Sequence, residues 1–298
     1  MQKINIPPQK RAYLERLLAK HRKPIDFPKL KQDLENLISD CERNCNQIDK
    51  QLSLRKINAE EAKKQKETIM AMSQKRQGRI RNQLGKNYKS FESSNDAYLF
   101  TRAIGVTCCP YCNTCLITTE YDNGKVVRPD IDHFEPQSLA PEKQLELENM
   151  VPCCSKCNRD IKNAIPFTIS DHMNPYLDDF DSAVEFDLDV ISSNYTKKEN
   201  FEIIIKRNAR CPDLGTYKRA MANVRDFKLI PRYRSYKMDV VKIFENKRLY
   251  DEKKQKEINN LSGNTSSLRA ELFSDEKCQI NQTERGKLKK DIIKHYIK

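Results

Sequence analysis

From Lys29 to Leu52 the apolar positions Leu30, Leu34, Leu37, Cys41, Cys45, Ile48 and Leu52 recur every three or four residues. That is the spacing of one face of an α-helix. It places Cys41 and Cys45 in the core, where an unpaired thiol behaves as a small hydrophobe. Asn58 with Glu61 three residues on reads as a capping box. It opens a second helix over 59–84, and the two helices predict a helical hairpin. Ahead of them, Pro7, Pro8, Pro24 and Pro28 punctuate an irregular start around one short helical piece at 12–20. Further on the period changes. The β-prone runs 116–121 and 125–127 flank Asp122-Asn123-Gly124, a hairpin signal. The second strand is expected to continue into Asp130-Ile131-Asp132-His133. A loop punctuated by Pro136 and Pro141 follows, then a short helix over 154–163 that stops before Pro166. Residues 184–188 and 201–205 are strand-like. From about 214 the pattern is helical and Lys-rich, with a break at Gly263-Asn264-Thr265-Ser266-Ser267. No internal repeat is visible. The pattern predicts an α+β chain, mostly helical, with a strand–strand–helix centre.

Charge divides the chain in the same way. Residues 1–100 carry 22 Lys/Arg and 12 Asp/Glu, residues 101–190 carry 7 and 16, and residues 191–298 carry 26 and 14. The expected organisation is therefore a basic helical region (1–100), an acidic central module (101–190) and a basic, mainly helical region (191–298). An acidic centre suits a divalent cation. Basic flanks suit a polyanion such as nucleic acid, whose counterions they displace. The stretch 71–90 holds Lys75, Arg76, Arg79, Arg81, Lys86 and Lys89 and no acid. It is the leading candidate for a phosphate-contacting face, with a merely solvated helix face as the alternative. No apolar run approaches the roughly 18 residues that span a bilayer, and the first residues lack the apolar stretch of a secretory signal. A cytoplasmic protein without membrane contact is the expectation. In that compartment eleven cysteines read as metal ligands or core residues rather than disulfides.

Seven of those cysteines lie between residues 108 and 157. Cys109-Pro110-Tyr111-Cys112 and Cys154-Ser155-Lys156-Cys157 are two C-x-x-C turns, each able to aim two thiolates at one zinc ion. Cys108, Cys115 and Cys153 offer alternative pairings; the four-cysteine set Cys109, Cys112, Cys154 and Cys157 is preferred. Such a clamp would tie the helix to the hairpin and supply folding free energy to a core-poor module. A zinc clamp does not require the polar residues it encloses. Asp132 and His133 are adjacent on a strand, where neighbours point to opposite sides. Imidazole is suited to act as a base near neutrality, and an Asn carbonyl can fix its orientation. The amide oxygen of Asn158 and the carboxylate of Asp132 are hard ligands that suit Mg²⁺ or Mn²⁺. Together these parts meet the needs of phosphodiester hydrolysis.

The run Cys109-Pro110-Tyr111-Cys112-Asn113, Asp132-His133-Phe134-Glu135-Pro136-Gln137-Ser138, Glu148-Asn149 and Cys154 to Lys162 resembles an HNH endonuclease of the zinc-bound ββα-metal type. The resemblance covers about residues 108–167. It implies His133 as general base, Asp132 and Asn158 as ligands of the catalytic metal, and Asn149 as the residue that orients His133. It also implies products with 5′-phosphate and 3′-hydroxyl ends. Asn174-Pro175-Tyr176-Leu177-Asp178-Asp179-Phe180 and the helical stretch 236–250 are similar to HNH proteins of bacterial anti-phage systems, which implies an ATPase partner. DNA is the expected substrate, with RNA the other candidate. Lys162 is a candidate phosphate contact. Arg232, Tyr233, Arg234 and Tyr236 interleave charge and aromaticity as nucleic-acid surfaces do, although such aromatics more often pack in the core. His172 is expected to be structural, and His21 and His295 exposed. The competing reading is a non-catalytic zinc-dependent adaptor, or a nuclease inactive until a partner binds its helical regions.

Overall fold

The computed structural model describes residues 1–122, 125–163, 165–262 and 279–297. Eleven α-helices and three two-stranded antiparallel sheets are found among them, so the chain is α+β and mostly helical. The helices of the first hundred residues are α1 (Pro8–Ala19), α2 (Phe27–Ser53), α3 (Ala59–Leu84), α4 (Lys86–Glu92) and α5 (Asp96–Ile104). Asp26 caps α2 by accepting from the Lys29 amide. Asn58 and Glu61 form the expected reciprocal capping box at the start of α3. Each satisfies amides that no helical carbonyl can reach.

α2 and α3 pair as the predicted hairpin, but it stands off the main core. Only Ile48, Ala62, Ser73 and Leu84 are buried on these two helices, and none belongs to the principal apolar cluster. Cys41 and Cys45 are therefore half-buried rather than core residues. Cys41 lines a groove of about 330 Å³ along the open seam, shared with Leu37, Ile69 and Met72. The arm is fixed at its base. Lys31 meets Glu142 at 2.9 Å, and the carbonyl of Leu84 accepts from Gln144 at 2.8 Å.

The centre departs from the expected hairpin. β1 (Glu120–Tyr121) pairs with β2 (Lys125–Val127), but the turn residues Asn123 and Gly124 lie outside the described residues. β2 does not continue into the Asp-His strand, because Arg128-Pro129 intervenes and proline cannot donate to a ladder. β3 (Asp130–His133) pairs instead with β4 (Met150–Cys153), in the register Asp130 to Cys153 and His133 to Met150. A seven-residue π-helix (Lys156–Lys162) follows where a short α-helix was expected. After α6 (Phe180–Ala183), β5 (Val184–Val190) and β6 (Phe201–Arg207) form the third antiparallel pair. The chain continues through α7 (Leu214–Asp226), α8 (Leu229–Arg234), α9 (Lys237–Leu249), α10 (Glu252–Ser262) and α11 (Gly286–Tyr296). The sequence break at 263–267 lies outside the described residues.

One apolar cluster runs from Leu14 through Phe100, Phe134, Val151, Phe186, Tyr233 and Ile292, crossing both expected boundaries. Polar side chains stitch the same path. Asn113 donates to the carbonyls of Ile280 and Thr283 and accepts from the Lys287 amide. Buried Lys287 lies 2.9 Å from both Asp181 and Asp291. No helix among the described residues is long and apolar enough to cross a membrane.

Candidate functional site: a cysteine clamp beside a histidine cleft

Cys109, Cys112, Cys154 and Cys157 come together as the preferred set, with one sulfur from each lying within 4.8 Å of the others. Cys112 and Cys154 are 3.9 Å apart. Thiolates at about 2.3 Å from a tetrahedral zinc stand about 3.8 Å from one another, so the donor set, size and burial all suit that ion. Cys108 and Cys153 are buried outside the cluster. Cys115 is half-buried beside it, against Thr114. Hydrogen bonds from the other thiols, Cys109 foremost, hold Cys112 well below the usual thiol range, whereas burial raises Cys109. Four packed thiols cannot all ionise without a cation among them.

On the other face of the π-helix an open cleft of about 660 Å³ is lined by β3, Tyr88, Gln137, Asn158 and Arg159, among others. His133 sits in its wall. The imidazole Nε2 lies 2.9 Å from the carbonyl oxygen of Gln144. A carbonyl can only accept, so Nε2 carries the proton and Nδ1 keeps the lone pair. The Gln137 amide is 3.3 Å from Nε2, and the Tyr88 ring packs edge-on with centroids 4.3 Å apart. Burial, with help from the Lys162 ammonium, pushes the His133 pKa down to about 4. At neutral pH the ring is uncharged.

Asn149 does not touch this ring. Its Oδ1 accepts from the Glu135 amide at 2.7 Å, and its Nδ2 donates to the carbonyls of Glu135 and Lys143. It closes the loop that presents the Gln144 carbonyl to His133, so any link between Asn149 and the ring runs through the backbone. Gln144 is the hub of that loop. Its side chain accepts from the Tyr88 amide at 2.8 Å and donates to Leu84 and Pro141. It joins the basic end of the arm to the cleft. Sequence spacing singled out neither Gln144 nor Tyr88.

Asp132 and Asn158 are engaged with different partners. Both Asp132 oxygens lie 2.8 Å from the Lys162 ammonium, and Tyr111 donates to Oδ2 at 2.6 Å. Burial raises the Asp132 pKa, with Lys162 opposing. The Asn158 amide nitrogen faces Asp130 at 3.2 Å, and Arg159 holds the same carboxylate through two bonds of 2.7 and 2.8 Å. In this arrangement the pair does not present a joint oxygen site for Mg²⁺ or Mn²⁺, because an ammonium already satisfies Asp132. Lys162 is 1% exposed and also donates to the His133 carbonyl at 2.5 Å. It is a buried strut rather than a phosphate contact.

The remaining expected residues fall into place by burial. Lys75, Arg76, Arg79 and Arg81 are exposed along the end of α3, as are Lys86 and Lys89 on α4. Tyr233 is fully buried and donates to the Cys112 carbonyl at 2.8 Å, while Arg232 turns toward the clamp sulfurs. His172 is structural, stacked on Phe167 and bonded to Asp226 at 2.9 Å. His21 and His295 are half-buried rather than exposed, beside Asp96 and Glu185 respectively. No protein-family model matches the chain, and neither does any curated protein or solved structure.

Proposed function

We propose that the chain is an HNH-type endonuclease that hydrolyses phosphodiester bonds in DNA, with His133 as general base. The observation that carries the reading is the fixed tautomer of His133. Its Nε2 proton is committed to the Gln144 carbonyl, which leaves the Nδ1 lone pair for a water. An uncharged imidazole with a free lone pair is what proton abstraction needs, although burial makes this one a weaker base than a free imidazole. The cleft is open enough for a sugar–phosphate chain, and Arg128 and Arg159 lie on its wall. The exposed basic face of α3 and α4 meets the cleft through Tyr88 and Gln144. It would guide the phosphate backbone inward and release counterions as it does so.

In this reading His133 takes the proton from a water as its oxygen attacks the phosphorus; the bond to the 3′-oxygen of the neighbouring sugar breaks, and that oxygen takes a proton from solvent to end as a hydroxyl. Zinc on the four cysteines would hold the strand and the π-helix in register and take no part in the chemistry. A divalent cation on Asp132 and Asn158 has no step in this reading, since the Lys162 ammonium already satisfies both Asp132 oxygens. The anti-phage setting and the ATPase partner belong to the same reading and rest on the sequence resemblance alone.

The test is incubation of the zinc-loaded protein with supercoiled plasmid, with and without Mg²⁺ or Mn²⁺, beside His133→Ala. Nicking that drops by a factor of about 10² or more in the variant, at unchanged zinc content, is the expected result; general-base catalysis is typically worth that much. A variant that nicks as fast as the parent would end the assignment.

A further inference from the structure

We propose that Arg232 is the counter-charge of the loaded clamp, a positioning residue that retards zinc release and fastens α8 to the metal module. The inference rests on zinc in the clamp and is independent of the nuclease reading. A divalent ion with four thiolates leaves a formal charge of about −2 in a buried place, and such charge is costly to bury without a partner. Arg232 reaches it from outside the cysteine motifs. Its Nη1 donates to Cys157 Sγ at 3.3 Å. Its Nη2 donates to Thr114 Oγ1 at 3.2 Å, and that hydroxyl donates in turn to Cys112 Sγ at 3.3 Å. One guanidinium therefore addresses a sulfur from each C-x-x-C turn, one directly and one through a hydroxyl relay.

Backbone amides complete the pattern. The Thr114 and Cys154 amides lie 3.5 Å from the sulfurs of Cys112 and Cys109. Each N–H directed at a thiolate lowers its basicity and so its tendency to be protonated off the metal. The guanidinium is itself held in aim. Its Nη1 also donates to the Phe227 carbonyl at 3.3 Å. The next residue, Tyr233, is fully buried and bonded to the Cys112 carbonyl. Arg234, on the same helix, faces Glu202 instead at 3.7 Å and is 60% exposed, which makes it a natural control.

The experiment follows zinc release from the full chain to the chromogenic chelator 4-(2-pyridylazo)resorcinol, with the cobalt-substituted protein examined by visible absorption. Second-sphere substitutions commonly cost a factor of about 10–100 in metal affinity. Release is expected to quicken by that order in Arg232→Met, and also in Arg232→Gln, which keeps an N–H but removes the charge. The thiolate-to-cobalt charge-transfer band should shift in both, while Arg234→Met should behave as the parent. Either Arg232 variant suffices if the other fails to fold. Parental release rates with an unshifted cobalt band in a folded Arg232 variant would overturn the proposal, and so would a parent chain that takes up no zinc.

Discussion

The arm formed by α2 and α3 uses 27 and 26 residues and buries four side chains. The β3–β4 pair uses four residues in each strand, and every position of β4 and two of β3 are buried. Apart from the contacts at its base, the arm is held by neighbours in sequence, namely caps, helical hydrogen bonds and one antiparallel partner. The site is held by groups distant in sequence: Tyr88 and Gln144, Asp132 and Lys162, Asn113 and Lys287. A locally determined element can vary in surface chemistry without disturbing the rest. An element made of long-range contacts cannot lose one without affecting several others.

The largest effect expected from this contrast follows removal of a clamp ligand. Cys112→Ser should lose the bound zinc and with it the cooperative thermal transition of the centre, since structural zinc contributes on the order of 10 kcal/mol in small modules. Metal analysis and circular dichroism on one sample would check both, and a variant that retains stoichiometric zinc would contradict the assigned ligand set. Lys162→Met comes next. It leaves the Asp132 carboxylate buried without its cation, a change worth about 3–5 kcal/mol when one partner of a buried pair is removed. Calorimetry should show the drop. An unchanged melting temperature would mean that Asp132 and Lys162 are not the pair described. The smallest effect on stability is expected on the arm. Replacing Lys75, Arg76, Arg79 and Arg81 together by Ala should leave the melting temperature nearly unmoved. The salt dependence of DNA affinity should flatten by roughly 0.9 per lost phosphate contact, read by fluorescence anisotropy at several salt concentrations. A parental slope would mean that the face is solvated and nothing more.

The same division explains what could be read from the chain alone. The arm was legible almost to the residue, because a 3.6-residue period and a capping box are local signals. The cysteine set was legible because C-x-x-C is a local geometry. His133 and Asn149 were picked out by motif, yet the route between them was not. It runs through a backbone carbonyl of Gln144, a residue that no spacing rule marks. β4 was hidden because Met150-Val151-Pro152-Cys153 contains a proline and its partner lies seventeen or more residues upstream. The π-helix was hidden because seven residues are too few for a period to separate it from an α-helix. The burial of Cys41 and Cys45 was misjudged because a stripe tells which face is apolar, not whether anything covers it.

The polar stitching of the last helix has a practical consequence for anyone dividing this protein. Cut after residue 190, the segment bearing the clamp and the histidine would lose the groups that answer Asn113, and the side chains of Tyr233 and Lys287 would leave holes in its interior. Tyr233, Ile280, Thr283 and Lys287 are thus closer to a keystone than to a tail. A change at the far end of the sequence reaches the cysteine clamp through Asn113, the neighbour of Cys112.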